Sequence, residues 1–416
     1  MIKAKQIKEI ILRSKVFENY FSMTSLSIIN SLIGLLLYPY LIRILGKDYY
    51  GLYVFALSIT NFFIIFIRFG FSFPAMKEII EKKNDLPQKN QTLSAVFTAK
   101  TILSLISILI FVPISIFVPI IQENLLIFTL CFLQIFSDCL FPQWYFQAIQ
   151  KMKFVTIINV FFRLLTIPFI FIFIKSPEDI WIYALIVTSS VSLGAIAATY
   201  ILWKSEGVFP KFIPIKKLKK YFKEGLPFFW TSAMVVLKQE STTIIIGIFF
   251  KMSDVAIYDL ANKIILFLRI ITTNINSALF PKVTINPEKS LIKKIIRYET
   301  ILGYASIGFT ALFGYWFVLL LGGETMMAAY PIAIILSTLI LTSLLAGSYI
   351  NFIFIQKNKY SFVTQNQFVA LFAYLIFTAI GILLVKNIIV IAIAYALSGL
   401  VEVFYCKYLA KKHVLL

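Results

Sequence analysis

The chain has 416 residues, of which 60% are hydrophobic and only 14% charged, and its mean hydropathy is +0.89. This composition excludes an ordinary soluble protein, since runs of about 20 apolar residues are long enough to cross the hydrocarbon core of a bilayer. The net charge of +20 comes mostly from lysines and arginines in the gaps between apolar runs. That placement indicates contact with anionic lipid headgroups, not with nucleic acid.

The apolar runs predict membrane-spanning helices, six in each half of the chain. In the first half these spans are Tyr20–Ile42, Gly51–Phe73, Leu93–Val118, Leu125–Phe146, Val155–Ile174 and Trp181–Trp203. In the second half they are Leu226–Phe249, Val255–Phe280, Ile301–Leu321, Pro331–Phe354, Val363–Val385 and Ile388–Leu409. We therefore expect an all-α polytopic membrane protein with twelve transmembrane helices.

Positive charges outside the spans predict the orientation. If the N-terminus is cytoplasmic, then apart from six cations in the middle of spans, 28 of the other 33 lysines and arginines fall on the cytoplasmic side or at a cytoplasmic span end. This distribution satisfies the positive-inside rule at every crossing and also places the C-terminus in the cytoplasm. Residues 1–19 are then a basic cytoplasmic tail and not a cleavable signal peptide.

A basic linker near the middle of the sequence divides the chain. Pro210 and Pro214 prevent a helix from continuing through it, and a faint repeat aligns Tyr53 with Tyr258. We expect two six-helix lobes around a central cavity. The predicted segments are an N-terminal lobe at 1–203, a cytoplasmic linker at 204–223 and a C-terminal lobe at 224–416.

Six cations interrupt the apolar spans: Arg68, Lys100, Arg163, Lys238, Lys263 and Arg269. A cation at the centre of a membrane helix costs about 2.5–3.5 kcal/mol if it faces lipid, so we expect these residues to line the cavity and bind an anionic substrate. On the second, fifth, seventh and eighth spans the cation shares a helix face with Asn, Ser or Thr. Two have alternatives: Lys100 lies near a span end and could reach the headgroups, and Lys263 lies one turn after Asp259 and could form an ion pair.

Carboxylates inside the spans allow two interpretations. Asp138 in the fourth span and Glu240 in the seventh could bind a coupling cation, H⁺ or Na⁺, or could pair with a cavity base. Asp259 belongs with Lys263 as a candidate for charge pairing. For Glu402 in the twelfth span the pairing interpretation is favoured.

Motifs for enzyme or cofactor chemistry are absent from the sequence. There is no nucleotide-binding glycine-rich loop and no Cys/His metal spacing, and the only histidine is His413 near the C-terminus. The outer loops are too short to hold the active site of a membrane enzyme. We therefore expect no catalytic residues, no metal and no cofactor, and predict that the chain is not an enzyme.

Several segments carry a family resemblance. They are Tyr38-Pro-Tyr-Leu-Ile-Arg-Ile-Leu-Gly46, Tyr50-Gly-Leu-Tyr53, Phe69-Gly-Phe71 leading to Lys77-Glu78, Pro142-Gln-Trp-Tyr-Phe-Gln147 followed by Lys151-Met-Lys153, Gly225-Leu-Pro227 and Leu279-Phe-Pro281. Together they resemble the bacterial polysaccharide (O-antigen, Wzx-type) flippases of the multidrug/oligosaccharidyl-lipid/polysaccharide exporter superfamily. The resemblance runs along the whole chain, and the segment from Pro142 to Gln147 is its most specific part.

The resemblance implies a function in the bacterial inner membrane. Such a flippase moves an anionic undecaprenyl-pyrophosphate-linked oligosaccharide, an O-antigen or other surface-polysaccharide repeat unit, from the cytoplasmic to the outer leaflet by alternating access. The expected partners are this glycan lipid, membrane lipids, H⁺ or Na⁺, and a polymerase/chain-length complex. Lipid II flippases of the superfamily typically carry two further spans, which argues against a peptidoglycan role. A cation-coupled multidrug antiporter is the alternative, although cationic substrates fit poorly with six intramembrane cations.

Overall fold

The structure is a computed structural model that describes residues 2–82, 85–285 and 288–414, and every regular element in these ranges is helical. The α-helices are α1 Ile2–Arg68, α2 Ser72–Glu81, α3 Leu86–Phe117, α4 Pro119–Glu123, α5 Leu125–Phe132, α6 Gln134–Leu140, α7 Gln143–Ala148, α8 Met152–Phe173, α9 Ile180–Glu206, α10 Lys219–Phe249, α11 Met252–Ile285, α12 Lys289–Gly322, α13 Ala329–Tyr349, α14 Tyr360–Leu384 and α15 Ile388–Lys412. A π-helical turn, Ile350–Phe354, follows α13.

Within these ranges, ten helical segments are long and apolar enough to cross a membrane, so the chain is a multi-pass membrane protein. The count differs from twelve in two places. The first two predicted spans run together in α1, which is interrupted at Gly46, a residue with φ 73° and ψ 165°. Glycine adopts this left-handed φ without steric cost, which explains why the break falls there. The predicted span Val255–Phe280 lies in α11, where the side chains of 273–282 are outside the described residues.

Packing divides the chain into two compact units. The first comprises Met1–Asn30 and Ile59–Ala233, and the second Ser31–Ser58 and Met234–Leu416. In this division 31–58 packs with the second half of the chain. The two six-helix lobes, the twelve-helix count and the cytoplasmic termini remain predictions. Side chains of the predicted basic tail, 1–19, lie outside the described residues.

Aromatic side chains form much of the interior of the first unit. Phe111 of α3 stacks on Phe132 of α5 with ring centroids 4.1 Å apart, and Phe63 meets Phe132 edge-on at 5.1 Å. The chain turns after α1 at Gly70, where φ is 68°. A Cβ there would lie 2.5 Å from the carbonyl oxygen of Gly225, so only glycine permits this approach of α10 to the turn.

Helix α13 forms the centre of the second unit. It packs against α11, α12 and α15, and its sequence from Ala329 to Tyr349 contains no charged residue. Because α13 is covered on several sides, apolar residues recur around its whole circumference and not along one stripe. The helix therefore provides an apolar surface on which the polar residues of its neighbours are buried.

Candidate functional site

The first unit contains an open cavity of about 410 Å³ with many polar side chains. It is lined by Ile64, Arg68, Ser72, Lys100, Gln134, Ser137, Asp138, Phe141, Gln143, Trp144, Gln147, Asn159 and Val191. These residues come from seven helices, α1, α2, α3, α6, α7, α8 and α9, and from the connection between α6 and α7. Helix α6 ends at Leu140 and α7 begins at Gln143, so the segment after Pro142 reaches the cavity wall.

Asp138 joins two cations at the wall of this cavity. Arg68 donates to Asp138 Oδ1 from Nε at 2.8 Å, and its Nη2 lies 2.6 Å from the same oxygen. Lys100 donates from Nζ to Asp138 Oδ2 at 2.9 Å and to the Asp138 backbone carbonyl at 2.8 Å. The carboxylate therefore holds together side chains from α1 and α3, and the cluster keeps one net positive charge.

The two cations of this cluster differ in exposure. The Lys100 side chain is 6% exposed and is bonded to two oxygens of Asp138, whereas the Arg68 side chain is 55% exposed. A guanidinium has five N–H donors in a planar fork and binds carboxylate or phosphate oxygens in pairs. Arg68 therefore still has donors for an anion in the cavity, while Lys100 serves mainly to fix Asp138.

Neutral polar groups complete the lining. Gln143 and Gln147 are exposed on α7. Gln134 donates to the Thr188 hydroxyl at 3.2 Å. Amides can both donate and accept hydrogen bonds, as the hydroxyl groups of sugars also do. The cavity thus combines one available cation with several groups suited to a hydrated, uncharged ligand.

Lys238 lies in the second unit and is paired. Its Nζ donates to Glu402 Oε2 at 3.1 Å and lies 5.6 Å from the centre of the Tyr395 ring. Gln367 donates to the other Glu402 oxygen at 3.0 Å. Lys238 is 8% exposed, so this is a buried ion pair supported by further hydrogen bonds. The pairing interpretation of Glu402 agrees with this contact.

Lys263 forms the ion pair that its spacing from Asp259 allows. Its Nζ also donates to the Tyr50 hydroxyl at 2.8 Å and lies 5.4 Å from the centre of the Tyr38 ring. The Tyr38 hydroxyl in turn donates to the Ala256 carbonyl at 3.1 Å. Two tyrosines from the segments that carry the family resemblance therefore hold α1 against α11 in the second unit.

The remaining predicted residues lie elsewhere. Arg163 is exposed on α8, one turn after Asn159, and is not among the residues that line the cavity. Glu240 and Arg269 are half-buried on α10 and α11, and each has an interaction partner. Of the predicted set, the structure brings Arg68, Lys100 and Asp138 together in one cavity. Among the described residues no cluster of His, Cys, Asp or Glu could hold a metal ion.

Sequence reasoning missed three polar residues. Gln143 and Gln147 line the cavity and belong to the most specific segment of the family resemblance, so the segment itself was a usable signal. Glu299 lies two residues before the predicted span Ile301–Leu321, yet it is 2% exposed. Its burial depends on packing against α13, for which the local sequence gives no sign.

Similarity to known proteins agrees with the membrane fold. The profile of the family described as "Polysaccharide biosynthesis protein" matches residues 16–286. A protein of Escherichia coli (strain K12) named "Putative O-antigen transporter" is 24% identical over 282 residues, which are 66% of this chain and 68% of that protein. A Shigella dysenteriae protein of the same name is 25% identical over 159 residues, 38% of this chain and 40% of that one.

Solved structures with the same fold include two kinds of membrane protein. The lipid II flippase MurJ in an inward closed conformation aligns with a TM-score of 0.72 and 14% identity over 97% of this chain and 87% of MurJ. An inward-facing multidrug resistance MATE family transporter of the MOP superfamily aligns with a TM-score of 0.59 and 14% identity over 92% and 98%. The spans and the bacterial relatives indicate a multi-pass protein of the bacterial inner membrane. By the extent of the profile match, the chain belongs to the polysaccharide biosynthesis protein family.

Proposed function

We propose that the protein is a flippase that moves an undecaprenyl-pyrophosphate-linked oligosaccharide, an O-antigen or other surface-polysaccharide repeat unit, from the cytoplasmic to the outer leaflet. The observation that carries this proposal is the polar cavity of the first unit, with Arg68 exposed in its wall. Pyrophosphate and sugars are too strongly hydrated to cross hydrocarbon unaided. A cavity that supplies charge and hydrogen bonds replaces the water that the headgroup loses.

Recognition of the headgroup would begin with an exchange of anions. Arg68 is held by Asp138 through its Nε and one Nη. A pyrophosphate that enters the cavity carries two negative charges, against one on Asp138, and offers paired oxygens to the same fork, so Arg68 can turn from Asp138 to the ligand. Asp138 stays bound to Lys100 and does not follow. Gln143 and Gln147, which line the same cavity, would form hydrogen bonds with the hydroxyl groups of the attached sugars.

The decisive test is transport in two settings. Cells that lack the corresponding gene should regain surface polysaccharide when the full chain is expressed. Vesicles that contain the purified protein should move a lipid-linked glycan between leaflets. Efflux of organic cations without any movement of the glycan lipid would instead support the multidrug antiporter. A polymerase/chain-length complex is the proposed consumer, because it needs the repeat unit on the outer leaflet.

Twelve transmembrane helices with both termini in the cytoplasm are part of the proposal. The unequal distribution of lysine and arginine supports this topology. Single cysteines that replace Lys216 and Lys357 should be protected from a membrane-impermeant thiol reagent added outside the cell. Cysteines that replace Lys47 and Lys386 should react. Reversal at any one of these four positions would contradict the topology.

Coupling to a cation gradient is proposed for Asp138 or Glu240, although the two cations on Asp138 favour its pairing role. If either residue couples transport to H⁺ or Na⁺, then Asp138→Asn or Glu240→Gln should remove the dependence of flipping on that gradient while substrate binding persists. If Asp138 only pairs, Asp138→Asn should lower stability and leave the gradient dependence of the residual activity unchanged. Vesicles with and without imposed ion gradients separate these results.

A further inference from the structure

The second unit contains a buried carboxyl group that the proposed transport mechanism does not use. Glu299 lies on α12 and is 2% exposed. The hydroxyl of Ser348 on α13 donates to its Oε2, while Oε1 is buried and has no hydrogen-bond partner among the described residues. An ionised carboxylate without a cation is strongly disfavoured at such a position. The group is therefore expected to hold a proton while the helices are packed as observed.

Cations on α12 itself point away from Glu299. Lys289, Lys293, Lys294 and Arg297 are exposed, whereas Glu299 is buried. The opposing helix α13 has no charged residue along Ala329–Tyr349. The carboxyl group consequently faces a neighbour that cannot neutralise it.

Among the described side chains near this end of the unit, the titratable groups that are not exposed are neutral or already paired. The adjoining apolar cluster includes Tyr349 and Cys406, both of which are neutral at ordinary pH. Glu402 on α15 is bonded to Lys238. On α11 the titratable residue in the stretch that leads to α12 is Lys282, whose side chain lies outside the described residues. It is therefore included as a separate variant in the test below.

The contact between α12 and α13 is tight beside Glu299. Gly303 lies one turn further along α12, and a Cβ at this position would be 2.4 Å from Leu341 Cδ1 and 2.8 Å from Leu341 Cα. Helix backbones that approach this closely leave no space for the water that a carboxylate needs. A charge on Glu299 would thus act directly against the packing of the two helices.

We propose that Glu299 is a proton-binding site whose occupancy controls the packing of α12 on α13. When the O–H bond of the carboxyl group breaks, the proton passes to water as hydronium and a carboxylate remains. The carboxylate requires hydration, which is obtained when α12 and α13 separate. The geometry of the second unit alone supports the proton site, whereas the link of this site to the transport cycle rests on the proposed flippase function.

Infrared spectroscopy of the full chain in lipid vesicles tests the proton directly. The carbonyl stretch of a protonated carboxyl group should be present at neutral pH and lost in Glu299→Gln. Glu299→Asp keeps a carboxyl group and should shift the band. This variant provides the test if Glu299→Gln does not fold. Glu324→Gln, at an exposed glutamate beyond the other end of α12, is the matched control and should keep the band. A parent protein without the band, or a band that persists in Glu299→Gln, would overturn the proposal.

Hydrogen exchange tests the link to packing. Amide exchange of the α13 segment around Ser348, corrected for the intrinsic effect of pH, should rise as the pH is raised in the parent and stay constant in Glu299→Gln. Lys282→Gln should leave the midpoint of this rise unchanged, and a shifted midpoint would mean that Lys282 pairs with Glu299 and that no isolated proton is held. Flipping by Glu299→Gln should lose its pH dependence; retained dependence would remove the link to transport. Failure of the parent to flip the glycan lipid would count against the flippase function, while the infrared result would stand.

Discussion

Arg68→Ala is expected to abolish surface polysaccharide while the protein still inserts into the membrane. Arg68 is the exposed cation of the cavity, and its removal leaves Asp138 bonded to Lys100, so no buried charge is left alone. Loss of one partner in a hydrogen-bonded charge contact costs about 2–5 kcal/mol of binding, which is roughly a thirtyfold or greater loss of affinity. Binding of undecaprenyl pyrophosphate to the purified protein measures this effect without the contribution of the sugars.

Two further variants make the prediction for Arg68 specific. Arg68→Lys should retain part of the activity, because the charge persists while the paired donors of the guanidinium are lost. Lys77→Ala is the control for charge alone, since Lys77 is 77% exposed and forms only a surface pair with Glu81 at 3.9 Å. Full activity of Arg68→Ala in vesicles would exclude the cavity as the headgroup site.

Lys238→Met is expected to destabilise the second unit strongly. The change leaves Glu402 with an uncompensated charge beside Gln367, and breaking a buried ion pair in this way costs about 3–5 kcal/mol. The double variant Lys238→Met/Glu402→Leu should recover most of the loss, because both charges are then gone. Thermal unfolding of the purified full chain measures these two variants, the single Glu402→Leu variant and the parent in one cycle.

The same cycle separates a structural role of Lys238 from substrate binding. If the pair is structural, the double variant should be both stable and active in flipping. If Lys238 binds the substrate, as its position on a polar face of the seventh predicted span indicates, the double variant should be stable but inactive. If the single Lys238→Met variant is as stable as the parent, the ion pair between Lys238 and Glu402 contributes little to the stability of the protein. Lys77→Ala again serves as control, with a change expected within about 0.5 kcal/mol.

Local sequence patterns predicted local features of this fold. Apolar runs identified the membrane helices, since length and hydropathy are properties of a single segment. The Asp259–Lys263 pair could be predicted for the same reason, because residues four apart lie on one face of a helix. Gly46 separates the first two predicted spans at the residue where the backbone leaves the helical region.

Contacts between distant segments could not be predicted in this way. Helical phase shows which way a side chain points from its own helix, but not which helix lies opposite. Asp138 is 70 residues from Arg68 and 38 from Lys100, so their meeting depends on how α1, α3 and α6 pack. The burial of Glu299 likewise depends on α13, whose sequence shows only that it is apolar. These contacts decide which charges remain available to a ligand.

The charge of the Arg68–Asp138–Lys100 cluster has an electrical consequence for a transport cycle. The empty cluster carries one net positive charge, because a single carboxylate lies between two cations. A bound pyrophosphate diester adds two negative charges and reverses the sign. The membrane potential, negative inside, does work of about 2.3 kcal/mol per charge per 100 mV. The same membrane potential would therefore favour outward movement of the loaded cluster and inward return of the empty one.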